Sequence, residues 1–235
     1  SANKRTQLKD ILGTTEKYDI VVSNTKVELP PEYKSLYNLT KSDIHARHAL
    51  AYLKRRGVTT MDVLKYQIGY CEKGRYANKI IIPTYNVDGQ LDYFVARSFE
   101  KEPSRKYDAP PSDKNIIGFE NMINWNIPIV LCEGAFDAIA IKRNAIPLFG
   151  KNISKKLMQK LVTSEVKKVY LALDKDAIKS TYKIAEQLLD AGKKIFVINL
   201  DDKDPADMGF ALFTNKIQKS QEFTFSSLFN LKLSI

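Results

Sequence analysis

Four short, almost uninterrupted apolar runs in the second half of the chain, at residues 128–132, 146–149, 168–173 and 194–200, restrict the fold more than any other feature. Each is too short for a buried helix and lacks the alternation of a half-exposed strand. Each therefore reads as a strand covered on both faces. Between them, apolar residues recur at helical spacing over 136–143, 154–162 and 179–191; in the last, Ile184, Leu188 and Ala191 share a face and Gly192 follows as a stop. Strand alternating with helix implies an α/β layer on a parallel sheet.

Before residue 127 the texture differs. Ile44, Ala49, Leu50 and Leu53 recur at helical spacing, with Ser42 placed as N-cap, Lys54, Arg55 and Arg56 in the last turn and Gly57 beyond. Thr59-Thr60 caps a second short helix that reaches about Lys65. Two β-rich runs, 79–85 and 91–99, flank Asp88-Gly89, which signals a hairpin. Residues 1–40, with Pro30-Pro31, specify little beyond one strand near 20–22. The expected division is a lead-in over 1–40, a basic mixed α/β subdomain over 41–126, an α/β domain over 127–210 and a C-terminal extension over 211–235.

In open α/β sheets, ligands gather beyond the carboxyl ends of the strands, and here the residues at those ends are acids. Glu133 follows the first run, Asp174 and Asp176 follow the third, and Asp204 and Asp207 follow the fourth. Any one of them serves equally well as a helix cap, because carboxylates are favoured at helix starts. Three strands delivering acids at one end is harder to explain by capping. Clustered carboxylates repel one another unless cations neutralise them, and hard oxygen donors suit Mg2+ or Mn2+. Two such ions would support in-line phosphoryl displacement.

Composition narrows the partners. With 37 Lys and Arg against 27 Asp and Glu, the chain carries +10, which favours a polyanion. Cys71 and Cys132 are the only cysteines and His45 and His48 the only histidines, without the close cysteine pairing of a zinc ribbon or finger; reduced thiols and no zinc are expected. No apolar run approaches the ~20 residues of a membrane span, so a cytoplasmic protein with no membrane partner is expected. Because Ser1 rather than Met begins the chain, a piece of a longer protein is expected as well.

The stretch Val130-Leu131-Cys132-Glu133-Gly134-Ala135-Phe136-Asp137-Ala138 resembles the glutamate motif of toprim domains. Leu173-Asp174-Lys175-Asp176-Ala177 resembles their DxD strand end, and Lys203-Asp204-Pro205-Ala206-Asp207 the third acidic motif of the primase branch. The first half resembles the basic subdomain of bacterial and phage DNA primase catalytic cores. It does so from Tyr52-Leu53-Lys54-Arg55-Arg56-Gly57-Val58 through Ile68-Gly69-Tyr70, Arg75 to Pro83, Ala96-Arg97 and Lys106-Tyr107 to Ile117-Gly118-Phe119-Glu120, so the likeness covers about residues 45–210.

That resemblance implies a toprim-type parallel sheet preceded by the basic subdomain. It also implies metal-binding roles for Glu133, Asp174, Asp176, Asp204 and Asp207, with Asp204 and Asp207 competing for one position because Asp207 sits one residue later than in many relatives. Gly134 and Asp137 belong to the motif as secondary residues, Asp137 serving the helix start. Arg75, Lys79, Arg97, Lys106 and Lys114 are implied to handle nucleotide or template phosphates, Arg97 and Lys106 within the catalytic set. Lys79 stands where the family commonly has Arg, and loses bidentate geometry. Lys179 and Lys183, after the DxD end, either meet phosphates or cover a solvated helix face.

The implied activity is synthesis of short RNA primers from nucleoside triphosphates on single-stranded DNA, with a replicative helicase and a separate zinc-binding module as partners in a full protein. Two alternatives stay open: a toprim nuclease that uses the same acids on a phosphodiester, and a non-catalytic nucleic-acid-binding accessory protein.

Overall fold

The computed structural model describes residues 26–37, 43–200 and 203–233. The strand expected near 20–22 and the expected N-cap Ser42 lie outside them.

The first half is a five-stranded antiparallel sheet with two helices. Strands β1 (Tyr33–Ser35), β2 (Gly69–Cys71), β3 (Lys79–Tyr85), β4 (Leu91–Ser98) and β5 (Tyr107–Asp108) lie side by side in sequence order. Helices α1 (Ile44–Arg55) and α2 (Thr60–Lys65) fill the β1–β2 connection. The side chain of Asp43 caps α1 by accepting from the Ala46 N–H at 3.0 Å, and Gly57, at φ 73°, ends it. The buried stripe of α1 is Ala46, Ala49 and Leu53. Ile44, expected on that face, is exposed because it lies about half a turn from Ala46, whereas Leu50, one turn beyond Ala46, sits at the edge of the stripe and stays exposed. Thr59 caps α2, as expected, and the structure adds a reciprocal bond in which the Thr59 N–H donates to the Asp62 carboxylate. The β3–β4 hairpin closes through Asn86, whose side chain accepts from the N–H groups of Asp88 and Gln90, each at 3.0 Å, with Gly89 at φ 74°.

The second half is the expected parallel sheet. Strands β6 (Ile129–Cys132), β7 (Ala145–Pro147), β8 (Lys168–Ala172) and β9 (Lys194–Val197) are parallel in the order β9-β8-β6-β7. Helices α3 (Ala135–Ile141), α4 (Lys155–Thr163) and α5 (Ile178–Asp190) supply the crossovers. Beyond them a helical segment α6 (Pro205–Lys219), broken at Gly209 (φ 75°), leads to β10 (Glu222–Phe223) and α7 (Phe225–Leu233). The boundary expected at residue 210 falls inside α6, and β10 joins the sheet edge antiparallel to β9. Pairing of β10 depends on a neighbouring strand already in place, which two residues, one of them charged, cannot announce.

Two cores follow from this layering. On one face of the parallel sheet, Leu157 and Leu161 of α4 and Ile184 and Leu188 of α5 pack with Leu131 and Leu171. On the other, Phe136 and Ile139 of α3 and Phe213 of α6 join Leu53 of α1 and Ile80 and Ile82 of β3 in one continuous cluster. Burial therefore welds the two halves together, and truncating Leu53 to alanine at this seam would cost ~2–5 kcal/mol. Lys142, just after α3, adds a bond across the seam to Asp62 of α2 at 2.8 Å. Cys71 and Cys132 are buried and free. No helix among the described residues is long and apolar enough to cross a membrane.

Candidate active site

Strands β6 and β8 are neighbours in register, Cys132 opposite Ala172, so the residues that follow them emerge at one edge. Glu133 comes directly after β6, Asp174 two residues beyond β8, and Asp176 in the 3-10 turn Lys175–Ala177 that opens α5. The Asp174 N–H donates to Glu133 Oε1 at 3.1 Å, holding the glutamate against the neighbouring strand end. One carboxylate oxygen from each of Glu133, Asp174 and Asp176 lies within 4.8 Å of the other two.

Asp204 and Asp207 line the same cleft as Asp174 and Asp176. Their settings differ. Asp204 caps α6 by accepting from the Asp207 N–H at 2.7 Å, and its charge bears on both Asp174 and Asp137. Asp207 accepts from Arg56 Nη1 at 3.0 Å. Asp137 is buried and braces the loops: it accepts from the Gly134 N–H at 2.9 Å and from the Ala206 N–H at 3.3 Å, tying the start of α3 to the start of α6. Gly134 leaves room for this contact, since a Cβ there would stand 3.0 Å from Asp137 Oδ2 and press the carboxylate aside.

Burial, and then the charge of Asp174, pushes the Glu133 carboxyl above the usual range. Burial followed by Asp204 and Asp176 does the same to Asp174, and Asp137, more deeply buried and facing Asp204, is pushed up to about 7. Carboxylates gathered this way repel one another, and positive charge placed among them relieves that repulsion. The donors are all hard oxygens, a set that fits a divalent cation of the Mg2+ or Mn2+ type. One positive charge is built in: Lys151 Nζ donates to Asp176 Oδ2 at 2.5 Å.

The pleat of the first sheet sorts the basic residues. Arg97 stands opposite Ile80 and Tyr107, on the face that packs toward the parallel sheet. It is buried, with its guanidinium 4.4 Å from the Tyr107 ring centre and 5.8 Å from that of Tyr52. The charges of Arg97, Arg56 and Asp137 all reach the Tyr107 hydroxyl, which puts this aromatic-cation stack beside the acid edge. Lys79 begins β3 on the opposite face, with Ile81. Arg75 also lies away from the acids, 3.7 Å from Asp108 and stacked over Tyr76. Lys106 is exposed just before Tyr107. Lys114 donates to the Phe149 carbonyl at 3.1 Å, and Lys179 and Lys183 are exposed on α5.

Two residues join the site that sequence reasoning did not single out for it. Arg56 reads as a helix-end charge until its partner Asp207 is brought round. Lys151 carried a usable signal, because it follows the apolar run at 146–149 and so obeys the same strand-end rule as the acids.

Residues 130–208 match the family described as Toprim-like. The chain is similar to the uncharacterized protein MG010 of Mycoplasma genitalium, at 33% identity over 154 residues that cover 61% of this chain and 68% of that one. Its similarity to the MG010 homolog of Mycoplasma pneumoniae is 31% over 195 residues, covering 77% and 86%. The DNA primase of Thermotoga maritima is 24% identical over 211 residues, which span 69% of this chain and 37% of that protein. Among solved structures, a DnaG primase catalytic domain bound to single-stranded DNA superposes with a TM-score of 0.69 at 17% identity, over 99% of this chain and 84% of that one. The E. coli primase catalytic core gives 0.66 at 16%, over 82% and 78%. These likenesses establish the toprim primase-core fold.

Proposed function

We propose that this chain, which belongs to the same family as the mycoplasmal MG010 proteins and has a toprim-type primase-core fold, is the catalytic core of a DNA primase. The observation that carries this reading is the cluster of Glu133, Asp174 and Asp176 beside a cleft that Asp204 and Asp207 also line, with Arg56, from the basic half, paired to Asp207.

In this reading those four acids hold Mg2+ or Mn2+, which when bound supplies the positive charge that phosphoryl transfer requires. Arg97, fixed by its aromatic stack, and Lys106 and Lys114 orient a nucleoside triphosphate beside the acid edge. Lys179 and Lys183 follow the template on the α5 side, while Arg75 and Lys79 meet phosphates farther out. Asp137 and Gly134 keep the acid-bearing loops in place. The primer's 3′-hydroxyl attacks the α-phosphate of the next nucleotide and pyrophosphate leaves. The basic subdomain works as residues 41–126 and the toprim part begins at 127.

The partners in this reading are single-stranded DNA and nucleoside triphosphates in the cytoplasm, and, in a longer protein, a replicative helicase and a separate zinc-binding module. Incubation with single-stranded DNA, labelled nucleoside triphosphates and Mg2+ or Mn2+ tests it: labelled oligoribonucleotides support it. Template cleavage without incorporation points to a toprim nuclease, and metal-indifferent binding alone to an accessory protein.

A further inference from the structure

The loop between β7 and α4 carries a cation straight into the acid cluster. Lys151 Nζ reaches Asp176 Oδ2 at 2.5 Å, and its charge also opposes the mutual repulsion felt at Glu133 and Asp174. The pair is open to solvent, with the lysine 48% and the aspartate 70% exposed, so it contributes little to folding and is free to exchange.

The loop is held by contacts that do not involve the acids. Lys114 donates to the Phe149 carbonyl at 3.1 Å, the Ser154 hydroxyl to the Ile116 carbonyl at 2.8 Å, and the Lys156 N–H to Asn115 Oδ1 at 3.0 Å. Lys151 can therefore let go of Asp176 without the backbone moving. The same residue also lines a second cleft with Lys114, Lys155 and Asp113, where the lysines outnumber the acid and give a wall suited to phosphate oxygens.

We propose that Lys151 is an exchangeable cation: it pairs with Asp176 while the acid cluster lacks metal, and turns to an anionic phosphate chain beside Lys114 once a divalent cation takes over the carboxylates. This rests on the metal-site reading above and adds a positioning role that the acids alone do not imply. A compact charge on a flexible stem suits such a transfer, and an ammonium removed from the neighbourhood of a divalent ion relieves repulsion.

The test is Mn2+ binding to the whole chain by calorimetry, with inorganic tripolyphosphate then added as the anionic probe, comparing wild type with Lys151→Met, Lys151→Gln and Lys151→Arg. The expectation is Mn2+ binding about three- to ten-fold tighter in Lys151→Met and Lys151→Gln, given the attenuation of such charges in water. Tripolyphosphate binding to the Mn2+-loaded chain should weaken at least several-fold in both. Lys151→Arg, which keeps the charge, should restore both values to near wild type. Unchanged or weaker Mn2+ binding in the two neutral variants overturns the proposal, as does tripolyphosphate binding indifferent to them. If wild type binds Mn2+ and Asp174→Asn does not, yet the Lys151 variants are silent, the exchange fails and the metal site stands. If wild type binds no Mn2+, both fall.

Discussion

Arg56, the C-cap of α1, and Asp207, in the first turn of α6, lie 151 residues apart in the chain and meet at 3.0 Å. This contact separates the two acids of the third motif. Asp207 already has a cation, and Asp204 faces Asp174 and Asp137. Asparagine is as good an N-cap as aspartate, so Asp204→Asn keeps the α6 cap and removes only the charge. It is expected to weaken Mn2+ binding and primer synthesis ten-fold or more, whereas Asp207→Asn should change either by less than about three-fold. Equal losses in the two would assign Asp207 to the metal as well.

Arg97 tests the aromatic stack. Its guanidinium carbon lies 4.4 Å from the Tyr107 ring centre and 5.8 Å from that of Tyr52, contacts that the compact ammonium of lysine does not reproduce. Arg97→Lys is therefore expected to raise the KM for nucleoside triphosphate about ten-fold with a smaller change in kcat. A wild-type KM in Arg97→Lys would show that bulk charge suffices.

Asp92, on β4, has both carboxylate oxygens shielded and without a hydrogen-bond partner, while nearby Lys156 is committed to Glu120 at 2.9 Å. Burial pushes its carboxyl up to about 6, against the pull of Lys156. An unfolded aspartate titrates near ~3.9, so between pH ~4 and ~6 the folded chain holds a proton that the unfolded chain has lost. Stability from this group accordingly falls as pH rises through that window and stays low above it. Asp92→Asn removes the effect and should raise the melting temperature at pH 7.5 by about 2–4 °C, on the order of 1 kcal/mol after allowing for solvent screening. Its advantage should vanish near pH 4; thermal melts at both pH values decide it.

Asp62 has the opposite sign. Although burial alone would raise its carboxyl, its hydrogen bonds to Lys142 and Thr59 outweigh that and hold it below the usual range. Its contribution is thus present above the unfolded value and lost as pH falls through the lower folded one. Asp62→Ala removes the α2 capping partner and the bond across the seam, at an expected cost of ~1–2 kcal/mol. Denaturant melts of Asp62→Ala and Lys142→Ala, singly and together, should show coupling between the two; strict additivity would place the stabilisation in the cap alone.

Much of this architecture is legible in the chain because continuous burial writes itself as continuous apolar runs: β6, β7, β8 and β9 and their crossover helices follow from it. The acid edge is legible for the same reason, since Glu133 follows the end of β6 directly and Asp174 and Asp176 come within a few residues of the end of β8. What stays hidden depends on partners distant in sequence. Strands of two or three residues, such as β5 and β10, exist only because β4 and β9 offer an edge to pair with. Arg97 and Lys79 look alike as basic strand residues until the hairpin register sets them on opposite faces. Likewise no local pattern says that Leu50, one turn from Ala46, stays in solvent while two alanines of α1 go inside.

The most direct measurement of the central claim is labelled ribonucleotide incorporation on single-stranded DNA with Mg2+ or Mn2+, run in parallel on wild type, Glu133→Gln and Asp174→Asn. The account predicts short labelled oligoribonucleotides from wild type, dependent on metal, and a loss of 100-fold or more, on the order of the charge-stabilisation effects seen in such sites, in both variants. Template cleavage without incorporation, or synthesis that survives in Asp174→Asn, would contradict it.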